Sequence, residues 1–157
     1  MPGTDRLYSA FTRSLGATGV RVGGRLSIPI YRVSGGRLMA KIARAPVLLL
    51  TTTGRRSGQP RTAPVCYMRD GERLVVIGSN AGNPKPPAWA LNLGAHPEAD
   101  VEIRKERRAV TARVAEGDER EDLWRRMNEL YNGFEDYKKR TDRDMKVFVL
   151  EPRPPAR

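Results

Sequence analysis

From residue 46 onward the chain alternates short branched apolar runs with turn-forming clusters, a pattern of strands rather than long helices. Val47-Leu48-Leu49-Leu50-Thr51-Thr52-Thr53 suits a buried strand. Gly54 to Pro60 is rich in turn formers, and Thr62 to Met68 returns as a second strand. Asp70-Gly71 is a hairpin signal leading into a strand over Arg73 to Ser79. Ala99 to Arg104 and Arg108 to Ala115 alternate apolar and charged residues, as a half-solvated hairpin does, and Met145 to Leu150 is a last strand. Ala88 to Leu93 reads as a short helix stopped near Gly94 and Pro97. Asp118 and Glu121 have the spacing of a capping box, and Leu123, Trp124, Met127, Leu130 and Tyr131 form a helical stripe behind it. The fold class expected is mainly β with helices (α+β), an antiparallel barrel of about six strands packed by helices.

The first 45 residues follow a different pattern. Asp5 to Leu15 places Leu7, Tyr8, Phe11 and Leu15 at helical spacing, Gly16 to Gly24 interrupts any longer helix, and Arg37 to Ala43 is a second short amphipathic stretch. This divides the chain into a basic N-terminal lead-in with short helices (1–45), a barrel domain (46–152) and a frayed Pro-rich tail (153–157). At 157 residues the chain has one domain's worth of length and can bury a core without a disulfide or metal staple.

Charge changes the picture most. The net charge is +11, and residues 1–46 carry eight basic residues against the single acid Asp5. Such a surface favours an anionic partner: nucleic acid, an anionic membrane face, or a phosphate- or carboxylate-bearing small molecule. One cysteine, Cys66, and one histidine, His96, supply neither an internal disulfide nor a zinc site, so no metal is expected. No apolar run approaches the roughly 20 residues of a membrane span, and no signal-peptide pattern opens the chain, so the expected location is cytoplasmic.

Three segments carry candidate chemistry. In Gly54-Arg55-Arg56-Ser57-Gly58-Gln59-Pro60-Arg61, glycines allow a tight turn and Arg55, Arg56 and Arg61 bring bidentate donors suited to phosphate or carboxylate. On pattern alone this is either an anion cradle or a solvated basic turn. Gly78-Ser79-Asn80-Ala81-Gly82 follows a strand, with Trp89 and Asn92 shortly after. Ser79 and Asn80 suit the polar edge of a ring, and Trp89 suits its face or simply the core. Tyr131, Phe134 and Tyr137 recur at spacing three, as the roof of an aromatic pocket or as a core stripe. Cys66 and His96 lie in no nucleophile motif, and neither a Walker loop nor Gly-x-Gly-x-x-Gly is present.

In combination these segments resemble one family. The run Leu48 to Arg61, Asp70-Gly71, Ser79-Asn80-Ala81-Gly82, Trp89-Ala90-Leu91-Asn92-Leu93, Thr111-Ala112-Arg113, Tyr131 with Tyr137, and Thr141-Asp142-Arg143 together are similar to the deazaflavin (coenzyme F420)-dependent nitroreductase and quinone reductase family, over about residues 46–152. The resemblance implies a split β-barrel and an F420H2-dependent reductase that passes hydride from the reduced cofactor to a quinone, nitroaromatic or activated enone. It implies that Arg55, Arg56, Ser57 and Arg61 hold the cofactor tail. Thr62, Ala63, Pro64, Val65, Cys66, Ile77, Gly78, Ser79, Asn80, Ala88, Trp89, Ala90, Leu91 and Asn92 would line the cofactor, and Phe134 would close the pocket. Ser79, Tyr131 and Tyr137 are the candidates for catalytic roles. Cys66, Ala63, Asn80 and Phe134 depart from the nitroreductase pattern on the acceptor side, while the tail loop keeps it. Two rival readings are an FMN-binding split barrel and a basic nucleic-acid-binding domain. The deazaflavin reading expects no nucleic acid and a monomer or homodimer. The basic lead-in adds the expectation of peripheral contact with an anionic membrane.

Overall fold

The computed structural model describes residues 26–38, 41–42, 45–131 and 133–154. The expectation of a helix over Asp5 to Leu15 lies outside the described residues. In chain order the elements are helix α1 (residues 26–33), β1 (Lys41–Ile42), β2 (Ala45–Thr53), β3 (Pro60–Cys66), β4 (Met68–Asp70), β5 (Arg73–Ile77), a 3-10 turn (Asn80–Gly82), α2 (Ala88–Ala95), β6 (Glu98–Ile103), β7 (Glu106–Val114), α3 (Gly117–Leu130), α4 (Gly133–Lys138) and β8 (Val147–Pro152).

All described strand pairings are antiparallel, in the order β1-β2-β6-β7-β8-β5-β4, with β3 added on β2. Eight strands replace the six expected because two are short. β1 pairs Lys41 and Ile42 with Pro46 and Ala45, so these two residues of the amphipathic stretch over Arg37 to Ala43 are strand. The expected strand Thr62–Met68 divides at Tyr67, whose N–H donates to Pro46 O at 3.0 Å, so that Met68–Asp70 leaves β2 and pairs with β5. No ladder joins β3 to β5 among the described residues, and the barrel is split there.

Period-two alternation puts two cores on the two faces of this curled sheet. On β5, Leu74 and Val76 enter the barrel interior with Leu48, Leu50, Val101, Phe148 and Leu150. Val75 and Ile77 point the other way, into a second core with Val147, Val149 and the helical residues Leu123, Trp124, Met127, Tyr131, Phe134 and Tyr137. Asp118 and Glu121 do not form the expected capping box. Helix α3 starts two residues after Ala115, at Gly117 with φ +58°, and its N-cap Glu116 makes no side-chain cap bond. The aromatic stripe is also not one helix. Tyr131 ends α3 in extended backbone, and α4 begins at Gly133.

Candidate functional site

The loop after β2 closes as a compact hairpin end. Gly54 N–H donates to Gln59 O and Gly58 N–H to Gly54 O, both at 2.8 Å. Gly58 takes φ +69°, which glycine adopts without strain, and a Cβ on Gly54 would stand 2.6 Å from Ser57 Oγ. Ser57 Oγ accepts from Gln59 N–H at 3.2 Å and from Arg61 Nη2 at 3.4 Å, so the serine braces the loop from inside. Arg55, Arg56 and Arg61 are exposed, and no carboxylate forms an ion pair with them among the described residues. Nine other described arginines, Arg32, Arg73, Arg107, Arg108, Arg113, Arg120, Arg125, Arg126 and Arg153, pair with Asp or Glu, while Arg37, Arg69, Arg104, Arg140 and Arg143 share the lack of a carboxylate partner without being clustered in one loop. The loop therefore presents three uncompensated guanidinium groups, an arrangement suited to binding an external anion.

Asn92 ties this loop to helix α2. It is 2% exposed, its Nδ2 donates to Thr52 Oγ1 at 3.0 Å, and its Oδ1 accepts the Arg55 backbone N–H at 3.1 Å. Both ends of the amide are thus engaged within the protein. Asn92, expected among the residues that line the cofactor, has its side chain engaged on the backbone of the arginine loop. The rest of α2 divides by face. Ala90 is buried under Gly78, where an added Cβ would approach it to 3.3 Å, and Trp89 packs edge-on against Phe148 at 5.7 Å. Ala88 and Leu91 are exposed.

The run Thr62–Cys66 divides in the same way, because successive residues of a strand face opposite sides. Ala63 and Val65 join the barrel interior. Thr62, Pro64 and Cys66 face the other side, where Thr62 Oγ1 meets Thr51 Oγ1 at 2.8 Å and Cys66 packs against the second core. The side chains of this run therefore divide between the two faces of the sheet. Burial pushes the Cys66 thiol up to about 12, so it is a neutral, unreactive group at physiological pH.

The aromatic side of the site is assembled by the break between α3 and α4. Tyr131 OH and Tyr137 OH lie 2.9 Å apart in a buried hydrogen bond. Phe134 packs edge-on against both rings, at 5.2 and 6.3 Å between centroids. The Tyr131 ring folds back directly over Gly133, leaving no room there for a side chain. Burial is the main cause of a raised Tyr137 pKa, so its hydroxyl stays protonated at neutral pH. Ser79, at the end of β5, is half-buried, and its hydroxyl meets no partner among the described residues.

One residue was read from sequence only as part of the Thr141-Asp142-Arg143 motif, with no role assigned. The Arg143 guanidinium reaches into the turn after β5 and donates to three backbone carbonyls: Gly78 O at 3.0 Å, Ser79 O at 2.9 Å and Asn83 O at 3.2 Å. Backbone acceptors carry no sequence signal, so the motif did not disclose these partners. Two hollows of the described surface lie elsewhere. One of about 240 Å³ runs beside Thr51–Thr53, Gly58 and Pro60, but its charges Arg107 and Arg153 are already paired with Asp100 and Glu98. The other, of about 420 Å³, lies on α1. No group of three or more His, Cys, Asp or Glu residues suited to a metal ion occurs among the described residues.

Comparison with known proteins adds the following. A family model described as F420H(2)-dependent quinone reductase matches residues 23–152. A protein of Mycobacterium tuberculosis (strain ATCC 25618 / H37Rv) named as an F420H(2)-dependent quinone reductase is 38% identical over 133 residues, covering 82% of this chain and 89% of the relative. Among solved structures, one described as an F420-H2 dependent reductase superimposes with a TM-score of 0.63 at 36% identity, covering 68% of this chain and 94% of its own. Another, described as a domain-swapped dimer, gives a TM-score of 0.65 at 31% identity, covering 81% and 95%.

Proposed function

This chain belongs to the F420H(2)-dependent quinone reductase family, and from that premise we propose that it moves hydride from reduced coenzyme F420 to a quinone, with nitroaromatics and activated enones as further acceptors of the same electrophilic kind. The observation that carries this reading is the arginine loop. Three unpaired guanidinium groups stand on a glycine hairpin whose backbone is locked to α2 by a buried asparagine. This donor set fits an anionic tail, which Arg55, Arg56 and Arg61 would hold.

When bound, the reduced deazaflavin supplies the hydride. The chain's own residues bind, orient and protonate. Arg55, Arg56 and Arg61 hold negative charge, with Ser57 bracing the loop between them. Asn92 sets the position of that loop through the Arg55 backbone. Reduction of a quinone by hydride also needs a proton, and the Tyr131–Tyr137 pair keeps two hydroxyl protons beside each other in a buried place. Ser79 offers an unpartnered hydroxyl to an acceptor oxygen as negative charge develops on it. The test is the rate at which purified protein oxidises F420H2 with a water-soluble quinone, a nitroaromatic and an enone supplied separately. Quinone-dependent turnover is expected, and Ser79→Ala is expected to slow the single-turnover hydride step by about tenfold or more. No acceptor-dependent oxidation above the buffer rate would reject the function, and an unchanged rate in Ser79→Ala would reject the role of that hydroxyl.

A specific observation favours a second element of this reading, contact with an anionic membrane. Helix α1 is apolar on its outer face. Leu26, Ile30, Val33 and Leu38 are 65, 46, 90 and 61% exposed, while Ser27 and Tyr31 face inward. Exposed Arg37, Arg104 and Lys105 lie in the same region, with the Gly35–Gly36 turn packed on Arg104 and Lys105. An apolar face edged by basic residues fits a lipid surface carrying negative charge.

A further inference from the structure

We propose that the hollow on α1 is a binding site for a single anionic phospholipid, with a hydrocarbon chain along Pro29, Ile30, Val33 and Leu38 and the phosphate held by Arg37, Arg104 and Lys105. The inference rests on the membrane contact read above and goes beyond it, from adsorption on a surface to a one-to-one site for one lipid.

The first observation is how α1 is attached. Its inward contacts are polar. Tyr31 OH donates toward Val47 O at 3.3 Å and accepts the Arg104 N–H at 2.8 Å, and Arg32 makes a two-pronged pair with Glu102 at 3.1 and 2.8 Å. These bonds fasten the helix to the sheet while its large apolar side chains stand outward. The hollow there measures about 420 Å³ and is lined by Pro29, Ile30, Val33, Ser34 and Leu38. Its size lies within the range of small-molecule sites, roughly 300–1,000 Å³. Ser34 closes one end of it. Its Oγ donates to Tyr31 O at 3.1 Å and accepts the Leu38 N–H at 3.0 Å, which brings Leu38 back to the hollow.

The second observation is that positive charge gathers at that same end. The chain leaves α1 through Gly35 at φ +61° and Gly36 at φ +75°. A Cβ on Gly36 would stand 2.5 Å from Arg104 Cα, and one on Gly35 would stand 2.7 Å from Lys105 Cε. The two glycines therefore let the turn lie directly on the tip of the β6–β7 hairpin, with the Lys105 stem across Gly35. Arg37 stands between this turn and Leu38. Arg37, Arg104 and Lys105 are exposed, and none has a carboxylate partner among the described residues. The acids nearest in the chain, Glu102 and Glu106, are engaged by Arg32 and Arg108.

An apolar hollow with cations at one end matches an amphiphile with one charged head. A second copy of the chain would bring the same three cations and no unengaged acid from this face. A phospholipid meets both needs: its chain leaves water along the apolar wall, and its phosphate takes guanidinium and ammonium donors.

The test titrates the isotopically labelled full chain with dihexanoylphosphatidylglycerol, kept below its micelle-forming concentration. Dihexanoylphosphatidylcholine and inorganic phosphate form separate arms. The amides of Ile30, Val33 and Leu38 are expected to shift along a saturating one-to-one curve with the anionic lipid. The zwitterionic lipid is expected to bind at least about fivefold more weakly, and phosphate alone to leave these amides in place. Ile30→Ser with Val33→Ser abolishes saturation, and Arg37→Gln with Lys105→Gln weakens binding about tenfold or more. All four side chains are exposed, so the variants keep the fold. Shifts that never saturate, equal binding of the two lipids, or unchanged binding in the Arg37→Gln, Lys105→Gln protein overturns the proposal. Co-sedimentation with anionic vesicles without saturable binding of the monomeric lipid rejects the site and leaves the membrane contact standing. Saturable binding without co-sedimentation does the reverse.

Discussion

At the scale of single residues, burial sets apart a group that only looks reactive. Cys66 is the lone thiol and lies on the face of β3 that meets the tyrosines, yet burial holds it protonated. The sign of this effect is definite. The folded protein keeps the thiol proton up to a pKa of about 12, whereas the unfolded chain releases it near the ordinary value of about 8.5. The contribution of Cys66 to stability is therefore complete below about pH 8.5 and declines as pH rises toward 12. The expected outcome is slow alkylation of the native protein at pH 8 and fast alkylation after denaturation. Fast native modification at pH 8 would place Cys66 in an environment other than this one. Tyr137 is shifted in the same direction for the same reason, which suits it to donate a proton at neutral pH.

At the scale of elements, the asparagine clamp between α2 and the β2–β3 hairpin lets packing set the position of the arginine loop. Asn92→Ala removes the acceptor of the Arg55 N–H and the donor to Thr52. The expected cost is about 1–3 kcal/mol of stability together with weaker cofactor binding, measured by denaturant unfolding and by cofactor titration on the same preparation. Loss of stability without loss of binding would show that the loop keeps its shape unaided. The same elements show how far the sequence could be read. The branched run of β2, the Asp70-Gly71 hairpin and the alternating β6–β7 hairpin carry strong local signals, and all three form. Helix α1 was not legible because its polarity is reversed. Its buried positions are Ser27 and Tyr31, and its apolar residues point outward, so the usual rule for finding the packed face fails. Tyr31 is held inside by hydrogen bonds rather than by apolar contact alone, receiving the Arg104 N–H at 2.8 Å and donating toward Val47 O at 3.3 Å. The arginine loop and the aromatics of the candidate site stand out in the sequence through residue type and order. The roles of Asn92 and Arg143 were not, because each acts on backbone atoms brought close only by the fold.

At the scale of the whole molecule, the charge of +11 is distributed more selectively than its size suggests. Nine described arginines are neutralised in ion pairs, which argues against a continuous cationic track for nucleic acid. Among the arginines without a carboxylate partner, Arg55, Arg56 and Arg61 share the Gly54–Arg61 loop and Arg37 and Arg104 lie near the apolar face of α1, towards opposite ends of β2, since Tyr31 binds at Val47 while the loop follows Thr53; Arg69, Arg140 and Arg143 are the others described. Burying one large apolar side chain is worth about 1.5–3 kcal/mol, so four left exposed on one short segment hold a considerable drive toward a partner surface. Co-sedimentation with anionic vesicles is the expected outcome, weakened by Ile30→Ser with Val33→Ser and by high salt. A concentration-dependent dimer without vesicle binding would assign the face to a second copy of the chain.

The central claim is that the arginine loop grips the anionic tail of coenzyme F420, and equilibrium titration of the purified protein with F420 and with FMN tests it most directly. The account predicts saturable F420 binding tighter than that of FMN, weakened at least about tenfold when Arg55, Arg56 and Arg61 are all replaced by Ala. Saturable FMN binding with none of F420, or an arginine-free loop that binds F420 as tightly as the wild type, would contradict it.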